Sequence, residues 1–150
     1  MQPHAEQLRQ QRRRGFTLVE LGITIIIIGV LVSFAVPSFV RVSEQNHVDA
    51  ASQYLRSIWS AERIYWLEKR TFADSLGDLN TLGLLDSKIA AGSDGYFTYT
   101  ITAATSSTFN VTAVRAGSAV WTGTLHIDQD GDVGGFVGGS NSVVITPPDI

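Results

Sequence analysis

Glu20 sits where an acid is expensive. It is the only charged residue among the 25 positions from 16 to 40, a run dominated by Ile, Val, Leu and Phe. At about 1.5 Å per residue a helix of that length reaches about 37 Å, enough to cross a hydrocarbon layer of about 30 Å with some tilt. Arg12, Arg13 and Arg14 lie directly before the run, and such a basic block keeps its side of a membrane span cytoplasmic. A carboxylate kept one turn inside a span is a functional candidate by default. The chemistry open to Glu20 is pairing with a cation, and a cationic amine near the start of the helix would serve.

A second acidic motif lies far from the first. Asp128, Asp130 and Asp132 alternate with Gln129 and Gly131, and carboxylates at alternate positions can supply several of the six to eight oxygens that Ca²⁺ wants. The pattern departs from the EF-hand loop, because the glycine precedes the third Asp and Gly139 stands where the bidentate Glu belongs. An Asp-Gly hairpin turn explains the same residues without an ion. His4, His47 and His126 are too scattered for a metal site. The chain has no cysteine, no serine in a G-x-S-x-G setting and no phosphate-binding loop. The motifs point away from an enzyme.

The elements that position these residues follow from charge and periodicity. Residues 1–15 carry a net charge of +3 and residues 16–150 one of −6, so the outer part lacks the clustered Lys and Arg of a nucleic-acid surface. A cleaved secretory signal would have an apolar core of about 7–15 residues followed by a small-residue site; this run is longer and no such site follows. Pro37 removes a backbone donor, which predicts a bend or a melted turn at residues 34–37. Beyond it Val48, Ala51, Leu55, Ile58 and Tyr65 recur at helical spacing with Trp59 and Trp66 beside them, so one helix is expected over residues 16–69. The two tryptophans read as core. Residues 72–85 read as a loop with one short helix. Strict alternation then marks three half-buried antiparallel strands around Phe97–Tyr99–Ile101, Phe109–Val111–Ala113 and Trp121–Leu125–Ile127. The glycine-rich stretch 133–140 reads as a flexible linker, residues 143–145 as a short last strand, and Pro147-Pro148 as the end of regular structure. The sheet needs a cover, and the amphipathic half of the long helix is the one large element available. An α+β fold results, with a long N-terminal helix against a small antiparallel sheet.

The string RRRGFTLVELGITIIIIGVLVSFAVPSFV resembles the N-terminus of type IV pilins and of the pseudopilins of type II secretion systems. The resemblance covers about residues 9–40 and implies a pilin-like architecture beyond them. It implies a leader, residues 1–15, cut by a prepilin peptidase between Gly15 and Phe16, with N-methylation of Phe16. It also implies an assembly role for Glu20, a helix kink at Pro37, a transmembrane and assembly helix at 16–40, and an exported domain at 41–150. The function implied is that of a structural subunit of a pilus or secretion pseudopilus. Its partners would be other copies or minor pilins, an assembly platform, a cytoplasmic ATPase and the inner membrane, with no nucleic acid. Major pseudopilins bind calcium in a C-terminal loop, which lends the Asp128–Asp132 motif some weight. The alternative from another class is a non-polymerising, single-pass membrane-anchored binding module.

Overall fold

The computed structural model describes residues 15–140 and 142–148. The leader arginines and His4 lie outside the described residues. Helix α1 (Leu18–Lys69) is followed by the short helices α2 (Leu76–Thr81) and α3 (Ser87–Ala90). Strands β1 (Phe97–Ala104), β2 (Phe109–Arg115), β3 (Thr122–Asp128), β4 (Val133–Gly138) and β5 (Val144–Ile145) complete the chain. Two compact units are distinguished, Met1–Phe39 and Val40–Ile150.

In the first unit, the described part of α1 presents apolar side chains that none of the described residues covers. Leu18, Ile26, Leu31 and Phe34 are all more than 60% exposed. Thr24 donates its hydroxyl to the carbonyls of Glu20 and Leu21, and Ser33 donates to Gly29 O. Both thereby return their polar group to the helix backbone, as expected for hydroxyls among apolar neighbours. The backbone stays helical through residues 34–37, so the expected melted turn does not occur.

In the second unit the five strands form one antiparallel meander in the order β1-β2-β3-β4-β5. The helical stripe packs on its inner face. Val48, Ala51, Leu55 and Ile58 are fully buried, together with Phe97, Val111, Ala113, Leu125 and Ile127. Thr98, Thr100, Thr122 and Thr124 are left on the outer face. Trp59 and Trp66 are half-buried against the rim of the core rather than inside it. Each indole N–H is taken by a turn carbonyl, from Trp59 to Gln129 at 3.2 Å and from Trp66 to Ser106 at 2.8 Å.

The stretch 72–85 holds the one short helix expected there, α2, and α3 follows just after it; each is opened by a capping side chain. Ser75 accepts from Asp78 N, and Asp86 accepts from Lys88 N. The stretch 133–140, read as a flexible linker, contains strand β4, paired with β3 from Val133 to Gly138. Its glycines answer to close approach. A Cβ on Gly134 would fall 2.6 Å from Nε2 of His126, and Gly135 (φ +98°) sits where any Cβ would run into the Thr124 carbonyl. Only glycine fits such a place, whatever its cost in chain entropy.

Two glutamates extend the buried stripe at its ends. Glu44 lies four residues before Val48 and forms a two-point ion pair with Arg115 at the end of β2. Nε meets Oε1 at 2.5 Å, Nη2 meets Oε2 at 2.9 Å, and both side chains are 5% exposed. Glu62 lies four residues after Ile58 and is fully buried. Its Oε2 accepts the Ala73 N–H at 2.8 Å, while Oε1 has no partner among the described residues. Burial pushes the carboxyl up to about 7; the Ala73 N–H opposes this, and the charges of Asp74 and Asp78 add to it.

A stability prediction follows with a definite sign. The folded chain holds the Glu62 proton up to about pH 7, whereas the unfolded chain releases it near the ordinary value of about 4.3. Stability from this group is therefore complete below about pH 4 and is lost as pH rises through about 7, by about 3 kcal/mol at most. Glu62→Gln keeps an acceptor for Ala73 and should flatten this slope, raising the unfolding free energy at pH 8. Urea titrations of both proteins at pH 5 and pH 8 check it.

Candidate functional site

The start of α1 is built by a reciprocal pair of hydrogen bonds. Thr17 precedes the first helical residue, and its Oγ1 accepts the Glu20 N–H at 3.1 Å. Glu20 reaches back, and its Oε2 accepts the Thr17 N–H at 2.9 Å and the Thr17 hydroxyl at 3.0 Å. The sequence Thr-Leu-Val-Glu is thus a capping box, which satisfies orphan donors of the first turn and places a negative charge at the positive end of the helix dipole. Sequence reasoning singled out Glu20 but missed Thr17 as its holder. The signal was present in the S/T-x-x-E spacing.

Gly15 and Phe16 lie just before the cap, outside the helix. Phe16 is 83% exposed, and a Cβ on Gly15 would meet nothing within 4 Å. The Gly15–Phe16 junction is thus exposed with respect to the described residues, and the carboxylate of Glu20 lies one helical turn further on. Pro37 lies within α1, in the first unit.

The three C-terminal aspartates serve a turn. Asp128 Oδ1 accepts the Asp130 N–H at 2.9 Å, and the Asp128 carbonyl accepts the Gly131 N–H at 3.2 Å. Gly131 (φ +91°) lies beneath the Trp59 ring. Among the described residues no three acidic, histidine or cysteine side chains converge as an ion site. The turn reading accounts for Asp128, and the calcium expectation for Asp128, Asp130 and Asp132 is not needed to explain it. The β3–β4 connection needs Asp128 as a turn acceptor, and this directs its oxygen to the backbone instead of toward the other two carboxylates. Asp128→Ala should cost about 1 kcal/mol through that lost acceptor, and neither Ca²⁺ nor a chelator should move the wild-type Tm. A Ca²⁺-induced rise in Tm that disappears in Asp130→Ala would reinstate the ion.

Comparison with known proteins bears on the N-terminal site. Residues 10–36 match the model of the prokaryotic N-terminal methylation motif. The chain is 32% identical over 68 residues to the type IV major pilin protein PilA of Myxococcus xanthus, covering 45% of this chain and 31% of that protein. It is 48% identical over 52 residues to the type IV narrow pilus major component PilA5 of Thermus thermophilus, covering 33% of this chain and 45% of that protein. It is 24% identical over 108 residues to the type IV wide pilus major component PilA4 of the same organism, covering 72% and 78%. The matches to the first two relatives thus span less than half of their lengths. The methylation motif, the pilin-like fold and these likenesses together support the type IV pilin family as the family of this chain.

Proposed function

We propose that this chain is a precursor of a type IV pilus subunit. A prepilin peptidase cuts between Gly15 and Phe16 on the cytoplasmic side, Phe16 is N-methylated, and residues 16–40 hold the subunit in the inner membrane with residues 41–150 outside the cytoplasm. Copies then leave the membrane and pack through this helix into a filament, driven by an assembly platform and a cytoplasmic ATPase. The work is mechanical rather than catalytic. A pseudopilus of a secretion system would use the same residues, but the likenesses described above are to pilus components, which favours the pilus.

The observation that carries this reading is the lone acid at the head of an uncovered apolar helix. Cleavage exposes a cationic amine at Phe16, one turn from Glu20. An unpaired charge in an apolar setting costs several kcal/mol, and the hydrogen bonds that Thr17 gives Glu20, worth about 1.5–3 kcal/mol each to a charged acceptor, leave it without a counter-charge. The amine of a neighbouring copy can therefore draw Glu20 from its cap and set the axial register of an incoming subunit. Pro37 gives the helix a point at which to bend as it packs.

Intact-mass and N-terminal analysis of the membrane-extracted protein should show Phe16 as the first residue, carrying one methyl group. Gly15→Leu should leave the full precursor in the membrane. Glu20→Ala should be cut normally yet enter filaments at least about tenfold less, the factor expected for a loss above 1.4 kcal/mol. An uncut wild-type chain would support the anchored binding module instead, and normal polymerisation of Glu20→Ala would remove the register role.

A further inference from the structure

One end of the second unit carries an ordered alternation of cations and indoles. Arg56, Trp59, Arg63, Trp66 and Arg70 follow one another at spacings of three, four, three and four, which lines them along a single helical face. The Arg63 guanidinium lies 5.1 Å from the centre of the Trp59 ring, and that of Arg70 lies 5.2 Å from Trp66. Both indoles are fixed from below by the turn carbonyls of Gln129 and Ser106. Beside them opens a groove of about 480 Å³ whose lining includes Arg63, Trp66, Leu67, Phe72 and Ser106, with no acidic side chain. Leu67 is 66% exposed on its rim.

This end is built at some cost. Arg70 caps the helix in the left-handed region (φ +61°), with its N–H on the Trp66 carbonyl at 2.8 Å. That is a position where glycine is the usual choice and a bulky side chain is strained. A cation is kept there nonetheless, over an aromatic ring. The next part of the chain has the opposite character. Between Arg70 and Lys88 there is no basic residue, but there are three acids, Asp74, Asp78 and Asp86. Asp74 and Asp86 are exposed. Asp78 accepts the Ser75 hydroxyl and the Asp86 side chain caps α3, whereas the Asp74 side chain takes no hydrogen bond among the described residues.

We propose that the Arg–Trp face and its groove dock the acidic segment 74–86 of a second copy of this chain, with Asp74 of one copy meeting Arg63 and Arg70 of the next. The occupant follows from charge. The domain is acidic as a whole, the run Arg56–Arg63–Arg70 is its longest series of cations on one helical face although the Asp128–Asp132 turn borders it at Gln129, and the complementary segment is part of the same molecule. A contact between two different patches of identical copies is heterologous, and it generates an open filament when the rotation does not close. The apolar rim at Trp66, Leu67 and Phe72 supplies the area, and the guanidiniums supply direction, because planar forks meet carboxylates at two points. The inference rests on the filament reading above and adds to it a second, outer contact.

The absence of cysteine makes the test clean. Arg63→Cys and Asp74→Cys are introduced into two separately tagged full-length chains, which are co-expressed and assembled together. Mild oxidation of sheared filaments should give mixed 63–74 dimers in at least fivefold excess over same-site dimers. In parallel, Arg63→Glu should lower filament yield, and adding Asp74→Arg to it should restore most of the loss. Arg70→Gly, which relieves the backbone, should keep or raise the Tm while making the filaments come apart at lower salt. Filaments that form from both cysteine chains without mixed dimers overturn the contact and leave the filament reading intact. Loss of assembly in Arg63→Glu without rescue by Asp74→Arg also overturns it, and assigns the face to another acidic partner. A wild-type chain that is processed but never polymerises overturns the filament reading, and the contact with it.

Discussion

The apolar surface that α1 presents between residues 16 and 40 has no cover among the described residues, and every functional conclusion depends on that. Fully burying an Ile, Leu, Val or Phe side chain is worth about 1.5–3 kcal/mol, so a run this long stands to gain tens of kcal/mol from lipid or from other copies of itself. Such a gain easily carries the few kcal/mol that one acid costs in the same setting. Bulk hydrophobicity sets the affinity of the segment for an apolar phase but has no preferred register. On the proposed filament reading Glu20 supplies the register, because the penalty of a single charge is removed only where a cation meets it.

The capping box refines this view. In the isolated chain the Glu20 carboxylate is not a bare charge, because Thr17 gives it two hydrogen bonds at the head of the helix. The subunit thus has a tolerable resting state in which the acid is held by its own first turn. A cationic amine offers more, since a charge-assisted pair in an apolar setting outweighs bonds from neutral donors.

The two buried glutamates of the second unit show how the same residue type can lock or loosen a packed helix. Glu44 meets a guanidinium at two points, and its partner also donates to the carbonyls of Tyr96 and Ala116, so helix and sheet are pinned in one arrangement. Removing either member of such a pair costs about 3–5 kcal/mol. Glu62 holds the backbone of Ala73 with one oxygen and leaves the other unpaired, which makes its contribution depend on a proton. The groove that takes part in the proposed outer contact has Phe72, the residue beside this tether, in its lining.

How far the chain could be read from its residues is decided by how local each feature is. The Gly15–Phe16 junction, the lone Glu20, the helical stripe and the alternation of β1–β3 are short-range patterns, and physics acts on them through spacings of two to seven residues. Glu44 and Glu62 could have been found the same way, since both fall on the stripe; only the identity of their partners could not. Arg115 lies 71 residues from Glu44, and the turn carbonyl that holds Trp59 lies 70 residues away. The glycines at 133–140 read as a linker because glycine is entropically loose along the chain. They form a strand because His126 and the Thr124 carbonyl leave no space for a side chain. Composition and period thus determined the long apolar helix, its acid and the fold class. Tertiary packing alone decided which loose-looking stretch is rigid, which acid is paired and which backbone groups Asp128 holds, because those outcomes depend on atoms that the folded chain brings together.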